Sequence, residues 1–268
     1  MLLTSLLGLI IGSILGLTGA GGGILAVPAL VVGLGFSMAE ATPVALVSVG
    51  LASMLGAIEG LRRKTVRYKA ALLMSAVGAL TAPLGIWAAG RIPNVWLLTM
   101  FSGVMLIVGA RMALQAYRTD AHTDDTLPDG KVCIQSPETG RFVWSSATAL
   151  TLGAIGAVSG LFTGMLGVGG GFIIVPALRH FSNVAMNGVV ATSLMVIALI
   201  STATVAGAFA GGLTLSSTSW LFIGTTVTGM LLGRLVAPRI PARALQWGFS
   251  MICVVVAMIV LAKARGVL

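Results

Sequence analysis

One glycine-rich phrase occurs twice in this chain. It runs from Gly16 to Leu30 and again from Gly164 to Leu178, and 9 of the 15 aligned positions are identical. Glycine lets a backbone approach a ligand closely, and a helix that restarts after a break presents unpaired N–H groups and the positive end of its dipole. The central glycines of the two copies are therefore predicted to form one shared anion site. These are Gly19, Gly21, Gly22 and Gly23 in the first copy and Gly167, Gly169, Gly170 and Gly171 in the second.

Hydroxyl side chains near each phrase add hydrogen-bond donors for an oxyanion. Thr42, Thr192 and Ser193 are the candidates for substrate binding, with Thr18, Ser48, Thr163 and Ser201 as further candidates. The alternative for each hydroxyl is a hydrogen bond to a carbonyl of its own helix. The glycines also have an alternative role, because small residues let membrane helices pack closely.

The composition places these residues in a membrane. The chain of 268 residues is 57% hydrophobic and 9% charged, and its apolar blocks of about 20 residues match the length a helix needs to cross a bilayer. We predict an all-α polytopic membrane protein, with long helices near 40–60, 69–90 and 94–116 and near 187–210, 219–237 and 242–263. The net charge of +9 lies in short loops, so it indicates topology and no nucleic-acid partner.

The two copies of the phrase lie 148 positions apart, which indicates two similar halves. Gly90-Arg91-Ile92-Pro93 and Pro238-Arg239-Ile240-Pro241 repeat at that offset, and Ala41-Thr42-Pro43 matches Ala191-Thr192-Ser193. We predict a first membrane repeat over 1–116, a polar cytoplasmic linker over 117–143 and a second membrane repeat over 144–268. Each repeat is predicted to contain a glycine-tipped helical hairpin and three transmembrane helices.

Helix lengths favour a hairpin for the first phrase. Residues 2–17 and 24–36 make arms of about 24 and 20 Å, which fall short of a hydrocarbon core of about 30 Å. In the second half, residues 145–166 are long enough to cross, so two full spans stay open there.

Loop charges predict that the repeats are inverted. The loop with Arg62, Arg63, Lys64, Arg67 and Lys69 is assigned to the cytoplasm, whereas its equivalent at 211–219 has no charge. Arg179, His180 and Arg234 also fall on the cytoplasmic side in this arrangement, while Arg91, Lys263 and Arg265 are exceptions. Both termini are then predicted to lie outside.

No metal, cofactor or catalytic constellation is predicted. Cys133 and Cys253 form no motif, His122 and His180 have no ligand-like neighbours, and no nucleophile–base pair is evident. The chain is therefore predicted not to be an enzyme. Because no series of buried acids is visible, a coupling proton or sodium ion is left open, as is the oligomeric state.

The two Gly-x-Gly-Gly-Gly-x4-Pro copies, the run Ala191-Thr192-Ser193-Leu194 and the basic loop from Arg62 to Lys69 resemble the sulfite exporter TauE/SafE family of bacterial membrane permeases. The resemblance covers nearly the whole chain. It implies a transporter of the inner membrane, often an exporter, for sulfur-containing anions such as sulfite, thiosulfate or organosulfonates. Carried onto this sequence, it implies a site at the glycine tips with Thr42, Thr192 and Ser193. Pro43 opposite Ser193, and Ile200 where relatives often have a polar residue, depart from the family pattern.

The predicted function is secondary transport by alternating access around one anion site at the membrane midplane. Two alternatives accompany this prediction. One is a carrier of other small organic or inorganic anions, and the other is a non-transporting membrane subunit whose glycines serve helix packing.

Overall fold

A computed structural model describes residues 1–118, 133, 144–212 and 214–265. Helices make up most of this part of the chain. They are α1 (Leu2–Thr18), α2 (Ala26–Pro28), α3 (Met38–Arg62), α4 (Tyr68–Ala89), α5 (Asn94–Arg118), α6 (Ser146–Leu166), α7 (Gly171–Phe181), α8 (Met186–Ala210), α9 (Ser217–Val236) and α10 (Ala242–Ala264). A 3₁₀ segment (Gly19–Leu25) precedes α2, and a π-helical turn (Ala29–Gly33) follows it.

Seven of these helices in the described part of the chain are long and apolar enough to cross a membrane, namely α3, α4, α5, α6, α8, α9 and α10. The prediction of an all-α polytopic protein with three long helices after each glycine phrase is confirmed. α1 has 17 residues and α7 has 11, so both are shorter. α6 has 21 residues and could cross by length, which is the alternative that its sequence left open.

Serine side chains cap the N-termini of three of the long helices. Ser37 Oγ accepts a hydrogen bond from the Glu40 N–H at 3.3 Å, and Glu40 Oε2 accepts one from the Ser37 N–H at 3.0 Å. Ser145 and Ser216 cap α6 and α9 in the same position. These caps satisfy N–H groups that the first turn leaves unpaired, so they fix where each helix starts.

α1 packs against α9 through a stripe of glycines. Gly8, Gly12 and Gly16 recur every four residues on one face of α1. A Cβ added to Gly12 would overlap the Thr226 carbonyl oxygen and lie 2.8 Å from the Met230 nitrogen. Since backbone atoms cannot rotate away, only a residue without a side chain allows the helices to approach this closely.

The second half repeats this packing at the same spacing. Gly156, Gly160 and Gly164 lie 148 positions after the stripe on α1 and face α4. A Cβ on Gly160 would lie 2.5 Å from Gly78 Cα. α1 and α6, the helices that precede the two sets of central glycines, therefore each pack on a long helix of the other half of the chain.

The centre of the molecule is the antiparallel pair α3 and α8. Gly50 faces Ser201 and Gly60 faces Ala191, so residue numbers rise along one helix as they fall along the other. α5 and α10 also pair in antiparallel fashion, with Tyr117 edge-on to Trp247 at one end. We call the end of the bundle with the α3–α4 loop (residues 62–67) the basic end. The end with the start of α3 and the end of α8 is the far end.

Two cations at the far end, which were exceptions to the predicted charge pattern, have structural contacts. Lys263 Nζ donates a hydrogen bond to the Val31 carbonyl at 2.6 Å, where the π-helical turn leaves the regular helix pattern. The Arg91 guanidinium lies 3.8 Å from the ring centroid of Trp87. These contacts give both cations a structural role at this end, so the two cations are not evidence about the orientation of the chain in the membrane.

The predicted linker (117–143) lies outside the described residues except for residues 117, 118 and 133, and the division into two repeats stays a prediction. The Cys133 N–H donates to the Phe181 carbonyl at 2.9 Å, which anchors this point of the linker at the end of α7. Cys133 is buried, and burial raises the pKa of its thiol. The thiol is therefore neutral and poorly nucleophilic at neutral pH.

The glycine stripe can be tested with two alanine variants in one helix. Gly160→Ala is expected to lower the thermal stability of the purified protein, because the new Cβ would overlap the backbone of α4. Gly153→Ala, also in α6, has nothing within 4 Å and should be neutral or stabilising, since alanine favours a helix by about 1 kcal/mol over glycine. Equal melting temperatures for the two variants would contradict the close approach.

Candidate functional site

The two glycine phrases meet halfway along α3 and α8. A Cβ on Gly23 would lie 2.8 Å from Val49 Cγ1 and 3.5 Å from the Val168 carbonyl oxygen. A Cβ on Gly169 would lie 2.8 Å from Ile197 Cγ2 and 3.4 Å from Val49 Cγ1. Val49 and Ile197 are each one residue before the middle of a 25-residue helix. The structure thus brings the second part of each phrase to one place, which we call the crossing.

The two copies have different conformations in spite of their common sequence. In the first, Gly19 has a φ of 71°, and Gly21, Gly22 and Gly23 lie within the 3₁₀ segment. In the second, Gly167, Gly169 and Gly170 have φ angles of 72°, 74° and 68°, and α7 begins at Gly171. The second copy is therefore the one that leaves helical structure and starts a new helix.

The start of α7 offers backbone donors. Its N-cap is Gly170, which makes no side-chain capping bond, and its first turn holds no acid. The first N–H groups of an α-helix have no partner within the helix and point along the positive end of its dipole. This end of α7 can therefore receive an oxyanion.

Three buried serines surround this region without a hydrogen-bond partner among the described residues. They are Ser53, Ser159 and Ser201, each at most 1% exposed. Ser201 Oγ lies 3.8 Å from the Cβ position of Gly169, and Ser159 Cβ lies 3.0 Å from that of Gly170. Ser53 lies on α3 four residues after Val49. Because a buried hydroxyl without a partner is costly, three of them near one crossing indicate a place for a polar ligand.

The predicted hydroxyl candidates other than Ser201 lie elsewhere or bond their own helices. Thr42 contacts Gly167, with its Cα 2.8 Å from the Cβ position of that glycine, toward the far end. Thr192 accepts a hydrogen bond from the Arg67 N–H at 3.0 Å, at the basic end, and Ser193 Oγ donates to the Val190 carbonyl at 2.9 Å. Hydroxyls of three further candidates donate to carbonyls four residues earlier, namely Thr18, Ser48 and Thr163.

Thr42 and Thr192 do not share one site. Gly60 faces Ala191 across the central pair, and Thr42 lies 18 residues from Gly60 on the same helix. At 1.5 Å per residue, the two threonines are about 25 Å apart along the bundle. They cannot contact one small anion together, so at most one of them can belong to a single site, and the role of either threonine in substrate binding stays a prediction.

The sequence match between Ala41-Thr42 and Ala191-Thr192 is also out of register with the structure. It has an offset of 150, whereas α3 and α8 begin at Met38 and Met186, which are 148 apart. At the structural offset, the counterpart of Ser201 is Ser53. The sequence could have indicated Ser53 as a candidate, because the offset of 148 pairs it with Ser201. It could not have indicated Ser159 in this way, because the counterpart of Ser159 is Ile11.

Two cavities border the glycine phrases. One, of about 560 Å³, lies at the far end and is lined by Thr42, Leu46, Ile86, Thr204 and neighbouring residues. The other, of about 620 Å³, lies between α5 and α7, touches Thr18 and Gly171, and contains Arg111 and His180 in a mainly apolar wall. No cluster of three or more His, Cys, Asp or Glu side chains that could hold a metal occurs within the described ranges.

Seven apolar helices long enough to cross a membrane define a multi-pass membrane protein, and the two glycine phrases meet inside it. The chain belongs to the sulfite exporter TauE/SafE family, whose sequence profile matches residues 4–260. It is 29% identical over 255 residues to a probable membrane transporter protein of Xylella fastidiosa (strain 9a5c), covering 94% of this chain and 91% of that protein. It is 25% identical over 257 residues to the probable membrane transporter protein YjnA of Bacillus subtilis (strain 168), covering 93% and 95%. No solved structure matches it.

This membership confirms three sequence predictions. The chain is a membrane transporter of the TauE/SafE family, it is not an enzyme, and it resides in a lipid bilayer. The role of the glycine phrases as a substrate site stays a prediction.

Backbone conformation at the second phrase can be tested with matched variants. Gly170→Ala is expected to destabilise the protein, since a left-handed conformation costs an alanine about 1–2 kcal/mol and Ser159 lies 3.0 Å from the new Cβ. Gly35→Ala has a similar φ of 72° but open space around it, so it carries the strain without the contact. Thermal unfolding should show a larger loss for Gly170→Ala, and an equal loss would contradict the tight packing of Ser159.

Proposed function

We propose that this protein is a secondary transporter, and an exporter by the family resemblance, of small sulfur oxyanions such as sulfite, thiosulfate or organosulfonates. The observation that carries the proposal is the meeting of the two glycine phrases at mid-helix, beside three buried hydroxyls without partners. Family membership supports a transporter and disfavours the non-transporting subunit. Carriage of other small anions is the remaining alternative.

In the proposed site, neutral donors hold the anion. The N–H groups at the start of α7 and the hydroxyls of Ser159, Ser201 and Ser53 donate hydrogen bonds to its oxygens. The first phrase, from Gly19 to Gly23, closes the site from the other hairpin. The N–H groups at the start of α7 can only donate, and the serine hydroxyls can donate beside them, which favours an anion over a cation. No fixed cation lies at the crossing among the described residues, so binding stays weak enough for release.

The two repeats are proposed to be inverted in the membrane. Antiparallel packing of the equivalent helices α3 and α8, and of α5 and α10, supports this topology. The basic end holds Arg62, Arg63 and Lys64 and is proposed to face the cytoplasm of a bacterial inner membrane, with both termini outside. The glycine-tipped segments are then hairpins that enter and leave on one face.

Anion binding predicts a specific gain in stability. Purified wild-type protein should melt at a higher temperature in thiosulfate than in chloride at equal ionic strength, because a ligand that binds only the folded state stabilises it by mass action. A uniform response to both salts, or no response to sulfite, thiosulfate or an alkylsulfonate, would contradict the proposed substrate class. Flux into proteoliposomes under imposed proton and sodium gradients then identifies the coupling ion.

The hydroxyls can be tested by removing single oxygen atoms. Ser201→Ala and Ser53→Ala are expected to lower thiosulfate flux by about tenfold, as each removes a donor to a charged ligand. Thermal stability without ligand should stay equal or rise, because neither Oγ has a partner among the described residues. Ser102→Ala is the matched control, since its buried hydroxyl on α5 bonds the Leu98 carbonyl at 2.9 Å. Normal flux in both test variants would exclude these serines from the site.

A further inference from the structure

At the basic end, an arginine of α9 is held by a glutamate of α3. Arg234 Nη2 lies 2.6 Å from Glu59 Oε2, and Glu59 Oε1 lies 2.7 Å from Arg63 Nη2. The side chain of Arg234 is 27% exposed, whereas that of Arg63 is 73% exposed. The other acid in the described part of the chain, Glu40, lies at the far end. Glu59 therefore joins a partly buried cation to a solvent-exposed one.

The internal repeat identifies the counterpart of this ion pair at the far end. A Cβ on Gly16 would lie 2.9 Å from the Arg234 nitrogen, and a Cβ on Gly164 would lie 3.1 Å from the Ile86 nitrogen. Ile86 thus occupies in the first half the backbone position that Arg234 occupies in the second. The counterpart of Glu59, 148 positions later, is Gly207. The charged pair therefore has an uncharged equivalent.

The surroundings of Gly56 at the basic end differ from those of its counterpart Thr204 at the far end. At the far end, Ile86 and Thr204 line the open cavity of about 560 Å³. At the basic end, Gly56 is the counterpart of Thr204, and its Cβ position lies 3.2 Å from Arg234 Nη1 and 2.7 Å from Leu194 Cδ1. The side chains of Arg234 and Leu194 therefore pack at the basic-end position whose equivalent borders open space at the far end. This contact closes the path at Gly56, whereas the second cavity reaches the basic end beside α7, at His180 and Val190.

We infer that Arg234 is an anion-binding residue of the path at the basic end and that Glu59 occupies it while that path is closed. This inference rests on the proposed function. When the path opens, the guanidinium releases the Glu59 carboxylate and receives the oxyanion that leaves the crossing. The ligand class is a small oxyanion, because a guanidinium binds two such oxygens side by side.

The exposure of the pair suits a contact that breaks in each cycle. Partly exposed ion pairs contribute little to stability, so exchange of one anion for another at Arg234 is easily reversible. The carboxylate of Glu59 has the charge and oxygen geometry of the ligand that would replace it. A fully buried pair would instead resist separation, since it would leave an isolated charge in the bilayer.

Charge-matched variants separate this role from general electrostatics. Arg234→Gln and Arg63→Gln each remove one cation that contacts Glu59. Arg234→Gln is expected to weaken thiosulfate binding to purified full-length protein by about tenfold and to slow proteoliposome flux, whereas Arg63→Gln should alter neither by more than about twofold. Arg234→Lys, which keeps the charge but lacks the planar fork, should fall between the two.

Accessibility of the closed path gives a second readout that needs no ligand. Leu194→Cys and its counterpart Leu46→Cys, in a Cys133→Ser and Cys253→Ser background, report on the basic and far ends with a membrane-impermeant thiol reagent. Glu59→Gln should raise labelling at position 194 by about fivefold and lower it at position 46, because it favours the state open at the basic end.

The outcomes distinguish the two proposals. A wild-type protein that neither binds nor carries any tested anion would overturn the proposed function. A wild type that carries thiosulfate while Arg234→Gln behaves like Arg63→Gln would overturn the role of Arg234 alone. Unchanged labelling at position 194 in Glu59→Gln would overturn the closure by Glu59.

Discussion

Contact between helix backbones at the two glycine stripes is the constraint on which the structure depends. Carbonyl oxygens of α9 and α4 occupy space that a Cβ on Gly12 or Gly164 would need. This contact fixes α1 and α6 to a long helix of the opposite half. It therefore sets the position of the central glycines of each phrase along the bundle. In a bilayer, where apolar side chains gain little by leaving lipid, such close packing supplies much of the attraction between helices. The crossing at Val49 and Ile197 is its consequence.

One sequence phrase gives two backbone conformations because its surroundings differ. The first copy continues as a 3₁₀ segment, so its N–H groups largely follow a helical path. The second turns through three glycines with positive φ and begins a new helix. Ser159 borders that turn, whereas the counterpart of Ser159 in the first half is Ile11. Non-helical backbone at membrane depth needs hydrogen-bonding groups nearby, and the second copy has Ser159 beside it. In the proposed site, the polar groups therefore come mainly from the second copy and its neighbours.

Length and composition were sufficient to predict the long helices, because a span of apolar residues has few other folds in a membrane. The glycine phrases can also be recognised from the sequence alone, because their pattern is unusual and repeated. The packing of α1 on α9 could not be predicted, because the sequence around Gly8 and Gly12 does not specify which helix packs against them. For the same reason Thr42 and Thr192 looked equivalent from a two-residue match, whereas the helix boundaries relate Thr42 to Val190. That Ser53 and Ser201 have no hydrogen-bond partner among the described residues is a tertiary property, so only the structure shows it.

The distribution of charge fits what a carrier of anions must do. A fixed cation at the crossing would hold an anion tightly in a low-dielectric setting, and release would then limit the transport rate. Neutral N–H and O–H donors bind less strongly and lose less when the anion departs. In the proposed mechanism, the strong cation is placed farther along, at Arg234, where Glu59 shields it until the path opens. Since Gly207 and Ile86 hold the equivalent places at the far end, the proposed mechanism gives the two ends different interactions with the same ligand. That difference, acting on an otherwise repeated frame, gives the two access states unequal affinities without requiring unequal folds.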